Sequence, residues 1–202
     1  MKLIDLTLPW SSIETNEKLI PIRSGKTAYA GVVYDFRINS MTGSYIDFPG
    51  HILEIANGMH AGNFPLSELY RVPATLLRPK RSGNGITPSG LAEAGGNLPS
   101  TPCLVIHGKS GTDIPLISRE IYLTMESVSW IIDSGCRLLI SDTFESERLD
   151  GVFLKLFSAG ISTVCMPVNL DKLTSQVMKI TVFTPLLDGI VQIPCRIAAE
   201  IE

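Results

Sequence analysis

A short segment of the 202-residue chain, residues 40–51, places a tyrosine, an aspartate and a histidine close together. Tyr45 and Asp47 are two residues apart, so on an extended strand their side chains face the same way. A Pro-Gly pair follows and predicts a turn that brings His51 back beside them. A histidine oriented by a carboxylate acts as a base, and a phenol donates a hydrogen bond to a developing oxyanion. The spacing alone leaves two interpretations open: acid–base chemistry with His51 as the base, Asp47 orienting it and Tyr45 as the donor, or a structural role in which Asp47 caps the turn and His51 is a loop histidine.

The same segment resembles the motif His-x-Gly-Thr-His-x-Asp-x-Pro-x-His of the cyclase family, which includes bacterial kynurenine formamidase. The alignment needs no gap. Gly43 and the three residues Asp47, Pro49 and His51 match the motif outright. The remaining motif positions, which the family fills with His, Thr and His, are occupied here by Met41, Ser44 and Tyr45.

Four further segments resemble the family in the same order along the chain. They are Asp5-Leu6-Thr7, Pro65-Leu66-Ser67-Glu68-Leu69, Ile140-Ser141-Asp142-Thr143, and Gly160-Ile161 with Asn169-Leu170-Asp171. The resemblance implies one α/β domain over residues 1–202, with a mixed β-sheet in a swivelling β/α/β arrangement. It also implies a homodimer or homotetramer that brings one subunit's residues near another's site.

In the family, the two motif histidines and the aspartate hold a divalent metal, usually zinc, which activates water and polarises a carbonyl. Here Met41 offers a soft thioether that suits hydrolytic zinc poorly, and Tyr45 ligates best as a phenolate although its ordinary pKa is about 10. We therefore expect no metal cofactor. An alternative is a rebuilt zinc or manganese site that uses Asp47, His51, Tyr45 and His60.

The resemblance also assigns residues outside the motif. The family's later glutamate falls near Cys165 and its later histidine near Phe153. Cys165 has apolar neighbours, which favour a buried, inert thiol over a nucleophile paired with His51. Ser44 lacks the Gly-x-Ser-x-Gly turn of serine hydrolases, which disfavours it as a nucleophile. The predicted substrate-binding residues are Ser44, Met41, Phe48, Trp10 and Cys165.

Apolar runs and turn signals predict alternating strands and helices in the middle of the chain and strands at both ends, as in an α/β domain with a mixed sheet. The predicted strands are Leu3–Leu8, Ala30–Ile38, Ala74–Leu77, Pro102–Ile106, Arg137–Ser141, Ile161–Val164, Ile180–Thr184 and Arg196–Ile201. The predicted helices begin at Thr87-Pro88 and end at Gly95-Gly96, run from Ser118 to about Ser134, and span Leu149–Ala159.

Composition narrows the class of protein. Hydrophobic residues make up 45% and charged residues 18%, which is typical of a globular domain. The net charge of −3 gives no field for nucleic acid. The first residues lack the apolar core of a signal peptide, no apolar run is long enough for a membrane span, and the four cysteines form no CxxC pair. We expect a cytoplasmic protein with a small-molecule substrate and neither a nucleic-acid nor a membrane partner.

Three functional hypotheses follow. The first is an enzyme that runs metal-free acid–base chemistry on a small carbonyl compound, by cyclisation, dehydration or lactone or amide opening. The second is a metal-dependent amide or lactone hydrolase with substituted ligands. The third is a non-catalytic relative that binds a small molecule or serves as a partner subunit. Loss of several ligands favours the first and third, and retention of the Asp-x-Pro-x-His half favours the first over the third.

Overall fold

Short apolar runs with side chains buried on both faces form the centre of the sheet. The computed structural model describes residues 1–10, 13–55, 57–96 and 101–201. The strands, numbered in chain order, are β1 Lys2–Asp5, β2 Glu14–Ser24, β3 Thr27–Arg37, β4 Tyr45–Asp47, β5 Val72–Leu77, β6 Arg81–Ser82, β7 Gly85–Ile86, β8 Cys103–Ile106, β9 Tyr122–Leu123, β10 Leu138–Ser141, β11 Ser162–Cys165, β12 Val177–Phe183, β13 Gln192–Pro194 and β14 Arg196–Ile201. The helices are α1 Pro88–Gly95, α2 Met125–Asp133 and α3 Val152–Ser158.

Nine of these strands form one mixed sheet in the order β1-β14-β12-β5-β8-β10-β11-β4-β13. The four central strands β5, β8, β10 and β11 run parallel, and the flanking strands pair antiparallel. Strands β6, β7 and β9 form a small separate sheet, and β2 and β3 form a long two-stranded hairpin. The mixed-sheet α/β architecture predicted from the sequence is confirmed.

Alternating side chains along the central strands divide the core into two layers. On one face, Leu104 and Leu139 pack with residues of all three helices, such as Leu91, Val128 and Leu156. On the other face, the strands at the two ends of the sheet curl back and supply most of the packing. That second layer includes Val105, Ile140, Val164, Ile180 and Ile197. The side of the sheet that carries Tyr45 is the helical side.

Threonine side chains cap the first turns of α1 and α2 and so fix where these helices begin. The Thr87 side chain accepts a hydrogen bond from Gly90 N and caps α1, as predicted. The second helix begins later than predicted, because Thr124 caps it by accepting from Ser127 N. The residues before that cap, Tyr122 and Leu123, pair instead with β7 as a short strand. In the described residues, no helix is both long and apolar enough to cross a bilayer.

Candidate active site

The short strand β4 brings the chemical side chains together because it lies between β11 and β13. Tyr45 is opposite Cys165, and Asp47 is opposite Thr163 on one side and Gln192 on the other. Opposed residues share a face of the sheet, as do residues two apart on one strand. The side chains of all five therefore gather on the helical side.

Gly43 allows the chain to enter this strand. Its φ of +66° lies in the left-handed region, and an added Cβ would lie 2.6 Å from Leu8 O and 2.6 Å from Trp10 Cδ1. Only glycine fits such an approach without displacing a neighbour. The glycine of the motif thus has a structural reason that does not depend on metal.

Asp47 is almost fully buried, and three neighbours donate hydrogen bonds to it. Gln192 Nε2 lies 2.6 Å from Oδ1, while Thr163 Oγ1 and Cys165 Sγ lie 3.4 Å and 3.6 Å from Oδ2. Burial raises the pKa of the Asp47 carboxyl, and the Gln192 hydrogen bond and the nearby His51 charge partly offset that rise.

A cavity of about 340 Å³ opens in front of Tyr45, at the carboxyl ends of the parallel strands β10 and β11; we call it the Tyr45 cavity. Ligands of open α/β sheets bind at this end of the strands. Its lining includes Met41, Tyr45, Phe153 and Cys165. The resemblance to the family places its two histidine ligands at Met41 and Tyr45, its later histidine near Phe153 and its later glutamate near Cys165, so this cavity is where we expect the counterpart of the family site.

Burial keeps the Tyr45 hydroxyl and the Cys165 thiol of the cavity wall protonated. It raises the pKa of the Tyr45 phenol, and the charge of Asp47 adds to the rise, while Arg119 opposes it. Burial likewise raises the pKa of the Cys165 thiol. Both groups are neutral hydrogen-bond donors at neutral pH, which makes Cys165 a poor nucleophile.

Charged groups on other walls of the cavity were missed by sequence reasoning. Arg119 is exposed in the loop that precedes β9. Glu145 is 8% exposed; its Oε1 accepts a 3.4 Å hydrogen bond from Phe153 N, and within the described residues its Oε2 has no partner. Asp142 is already engaged by His107 Nδ1 at 2.7 Å and by Gly108 N at 2.8 Å. The sequence pointed to Glu145 only through its position two residues after Asp142-Thr143, a segment that resembles the family.

His51 lies apart from the cavity lining. It ends a 3-10 turn that begins at Pro49, and its imidazole meets the ring of Phe157 edge-on, with centroids 6.2 Å apart. The hydrogen bonds described for Asp47 do not include one to His51. The predicted turn is present, but it directs His51 toward α3, and its link to Asp47 is electrostatic.

Three of the predicted substrate-binding residues lie outside the cavity lining. Ser44 is fully buried; its Oγ accepts from Leu8 N and donates to Met166 O, both at 2.7 Å, so it ties three segments together. Phe48 is in the core against Phe64. Trp10 lines a different, apolar cavity. Met41 and Cys165 line the Tyr45 cavity as predicted.

The donors at the metal positions do not fit zinc. The Met41 side chain is largely exposed and soft, and the raised pKa of Tyr45 opposes the phenolate form that would ligate. His60 does not compensate, because its Nδ1 accepts hydrogen bonds from Gly62 N and Gly189 N. Across the described residues, no group of three or more His, Cys, Asp or Glu side chains is placed to hold a metal ion.

A family model named Cyclase, with the description "Putative cyclase", matches residues 4–148. The chain belongs to the cyclase family. Among curated protein sequences, none is similar enough to count as a match.

Solved structures of similar fold cover nearly the whole chain. Isatin hydrolase A from Ralstonia solanacearum has a TM-score of 0.75 at 16% identity, covering 100% of this chain and 92% of that one. A predicted metal-dependent hydrolase from Bacillus stearothermophilus has a TM-score of 0.68 at 19% identity, covering 98% and 97%. At these identities the likeness shows the fold alone, and it confirms the swivelling α/β fold of the cyclase family.

Proposed function

We propose that this cyclase-family chain is an enzyme that acts on a small carbonyl compound in the Tyr45 cavity by proton transfer, without the metal of its family. The reaction class is cyclisation, dehydration, or opening of a lactone or amide. One observation carries the proposal. One cavity is lined by the residues at or near the family's metal-binding and proton-transfer positions, Met41, Tyr45, Phe153 and Cys165, and Tyr45 offers a hydroxyl donor there.

Tyr45 supplies that hydrogen bond to the carbonyl oxygen of the substrate. Because burial raises the pKa of its phenol, the hydroxyl keeps its proton at neutral pH and donates as negative charge develops on the oxygen. Arg119 lines the same cavity and adds positive charge near that oxygen. Such a pair of donor and cation replaces part of what a metal does to a carbonyl.

Asp47 is the proton-exchanging group behind this wall. It is linked to the cavity through the Cys165 thiol, whose Sγ lies 3.6 Å from Oδ2, and its raised pKa brings its titration closer to neutrality. His51 lowers the pKa of Asp47 when it carries a positive charge. The role of His51 as the base itself stays a prediction, since its imidazole lies against Phe157.

The walls favour a flat, apolar substrate body. Phe144 and Phe153 stack with ring centroids 4.9 Å apart, and Met41 and Leu116 add apolar surface. A volume of about 340 Å³ is at the small end for a ligand site. Opening of a cyclic amide, the chemistry that the name isatin hydrolase implies for the structural neighbours, is the first reaction to test.

The test is turnover of a panel of cyclic amides, lactones, N-acyl amines and hydroxy ketones by the wild type, Tyr45→Phe and Tyr70→Phe. Tyr70 is a largely exposed tyrosine outside the cavity and serves as the matched control. Removing one oxyanion donor costs about 10²–10³ in kcat. We expect that loss for Tyr45→Phe only, and an unchanged rate in Tyr45→Phe would refute the proposed role.

A non-catalytic binder is the second candidate, and the placement of His51 outside the cavity lining favours it. The two candidates separate on the same panel. A compound that binds in calorimetry, loses affinity in Tyr45→Phe and is never converted by the wild type identifies a binder. Conversion of any compound with the Tyr45 dependence given above identifies an enzyme.

A further inference from the structure

Glu145 is a buried carboxylate in the lining of the Tyr45 cavity. It is 8% exposed, and its Oε1 accepts a hydrogen bond from Phe153 N at 3.4 Å, which is long for an N–H donor. Within the described ranges of the chain, no donor reaches its buried Oε2. Burying a polar oxygen without a donor is costly, and the cost is larger for a charged group. A ligand that donates a hydrogen bond to Oε2 accounts for this arrangement.

The other carboxylates at the cavity already have their donors. Asp142 Oδ2 lies 2.7 Å from His107 Nδ1, and Asp142 Oδ1 accepts from Gly108 N at 2.8 Å. Asp47 lies behind the wall, where its two oxygens accept three hydrogen bonds. Among the described residues of the lining, Glu145 is therefore the acidic group that has an oxygen available for a ligand.

The charge of the lining favours a cation. Asp142 and Glu145 are acidic and Arg119 is basic, so the charged side chains described in the lining leave one excess negative charge. Tyr45 and Cys165 keep their protons and do not change this balance. A ligand with a single positive charge neutralises the excess, whereas a neutral or zwitterionic ligand does not.

Aromatic rings lie next to the Glu145 carboxylate. Phe144 precedes it in the chain, and Phe153, which donates its backbone N–H to Glu145, stacks on Phe144 with centroids 4.9 Å apart. Both rings belong to the cavity lining. The faces of aromatic rings attract ammonium groups, most strongly where water is excluded. A carboxylate beside two such rings therefore suits a protonated amine better than a neutral N–H donor.

Tyr45 and Glu145 approach the cavity from different strands. Tyr45 begins β4, Glu145 follows the end of β10, and β11 lies between these two strands in the sheet. The hydroxyl donor and the carboxylate acceptor are thus on separate parts of the wall. A ligand of one aromatic ring, with a carbonyl at one end and an amine at the other, uses both groups.

We propose that the substrate is a small aromatic monocation whose carbonyl oxygen accepts a hydrogen bond from Tyr45 and whose protonated amine donates to Glu145. This assignment rests on the proposed function, which makes the Tyr45 cavity the reaction site. The terminal torsion of a glutamate is soft, so a small rotation turns Oε2 toward the ammonium group. The resulting charge-assisted hydrogen bond gives Oε2 the donor that the protein does not supply.

The first experiment is calorimetry of the wild-type chain with three probes that differ at one substituent. They are 4-(aminomethyl)benzamide, a cation, 4-(hydroxymethyl)benzamide, which is neutral, and 4-(aminomethyl)benzoate, a zwitterion. We expect the cation to bind about tenfold or more tighter than the alcohol, because hydrogen bonds between charged groups are the stronger ones. The zwitterion should also bind more weakly than the cation. No measurable binding of the cation at millimolar concentration, or a cation that binds no tighter than either of the others, overturns the proposal.

The second experiment repeats the calorimetry with Glu145→Gln and with Glu147→Gln, a control that makes the same change at an exposed position two residues further along. Glu145→Gln should lose the roughly tenfold preference for the cation and keep the affinity for the alcohol, while Glu147→Gln should match the wild type. Urea unfolding should find Glu145→Gln at least as stable as the wild type, because glutamine removes an unpaired buried charge. A preference for the cation that survives in Glu145→Gln overturns the proposal. The comparison of probes on the wild type decides it even if this variant does not fold.

Turnover separates this inference from the proposed function. A Glu145-dependent preference for the cation, without conversion of any compound in the panel, supports the ammonium site and refutes the enzymatic role of the cavity. Conversion that depends on Tyr45, without any preference for the cation, keeps the proposed function and overturns this inference.

Discussion

The side-chain amide of Gln192 donates a hydrogen bond to Oδ1 of Asp47 across 2.6 Å, although the two residues are 145 positions apart in the chain. The Ser40 hydroxyl in turn donates to Gln192 Oε1 at 2.6 Å, which fixes the orientation of the amide. Asp47 is the one buried carboxylate of the family motif, and Gln192 is its closest donor. The position of Asp47 behind the Tyr45 cavity therefore depends on a residue outside the motif.

Replacing Gln192 with leucine should destabilise the fold by about 1–3 kcal/mol, because it leaves a buried acceptor without its donor. The loss should be larger at neutral pH than in mild acid, since the donor matters most when Asp47 is ionised. Urea unfolding at the two pH values measures this. Gln176→Leu is the matched control, as that exposed glutamine also donates one hydrogen bond, to Ala94 O. Equal losses in the two variants would contradict the special role of Gln192.

The raised pKa of Asp47 gives stability a specific pH dependence. Because the folded-state pKa lies above the ordinary value of 3.8, the contribution of this group is fully present below pH 3.8 and is lost as the pH rises through the folded pKa. Within that window the Asp47 contribution to the free energy of unfolding falls by at most about 1.4 kcal/mol per pH unit. Asp47→Asn should remove this part of the pH dependence while keeping the size of the side chain. Parallel stability–pH curves for the wild type and Asp47→Asn would refute the prediction.

Much of the fold follows from local patterns, as the central strands illustrate. The residues that lead up to Ile106 and to Ser141 form continuous apolar runs, which are typical of parallel strands buried on both faces. In the structure these runs are the strands β8 and β10. Strand β2 was missed because it mixes charged residues with Pro21 and has no buried face. Because every residue of β2 is exposed, the strand leaves no burial pattern in the sequence.

Only the part of the candidate site that lies within one short sequence segment could be predicted. The shared face of Tyr45 and Asp47 follows from their spacing and is confirmed by the register of β4. Gln192 joins them through a three-residue strand whose pairing depends on long-range packing, so no local pattern indicates it. The direction of His51 was likewise set by its contact with Phe157 on a distant helix.

Lys109 holds one wall of the Tyr45 cavity in place. Its ammonium group donates hydrogen bonds to Pro115 O, Leu116 O and Ser118 O at 2.7–2.9 Å, and residues 116–119 line the cavity. Burial lowers the pKa of this lysine, and the Asp142 and Glu120 charges oppose that change.

Lys109→Met should therefore lower stability by about 2–4 kcal/mol, because three carbonyl groups lose a shared charged donor. It should also weaken ligand binding by releasing the loop that carries Arg119. Thermal unfolding and calorimetry with a compound identified in the panel measure the two effects. The exposed Lys172→Met is the matched control and should change neither. Unchanged affinity in Lys109→Met would show that the loop keeps its position without the lysine.

Metal content separates the proposed chemistry from that of a family hydrolase with substituted ligands. Protein purified without chelator should contain no stoichiometric zinc or manganese by elemental analysis, and its turnover should survive chelation. The reason is the donor set: the thioether of Met41 is soft, Tyr45 keeps its proton, and the oxygens of Asp47 already accept three hydrogen bonds.

The double variant Met41→His/Tyr45→His should gain stoichiometric zinc in calorimetry, because both positions line the same cavity and Asp47 follows them in the family spacing. Stoichiometric metal in the wild type, with activity lost on chelation, would restore the metal-dependent mechanism. Failure of the double variant to bind zinc would mean that the hydrogen bonds to Asp47 have closed the old metal site.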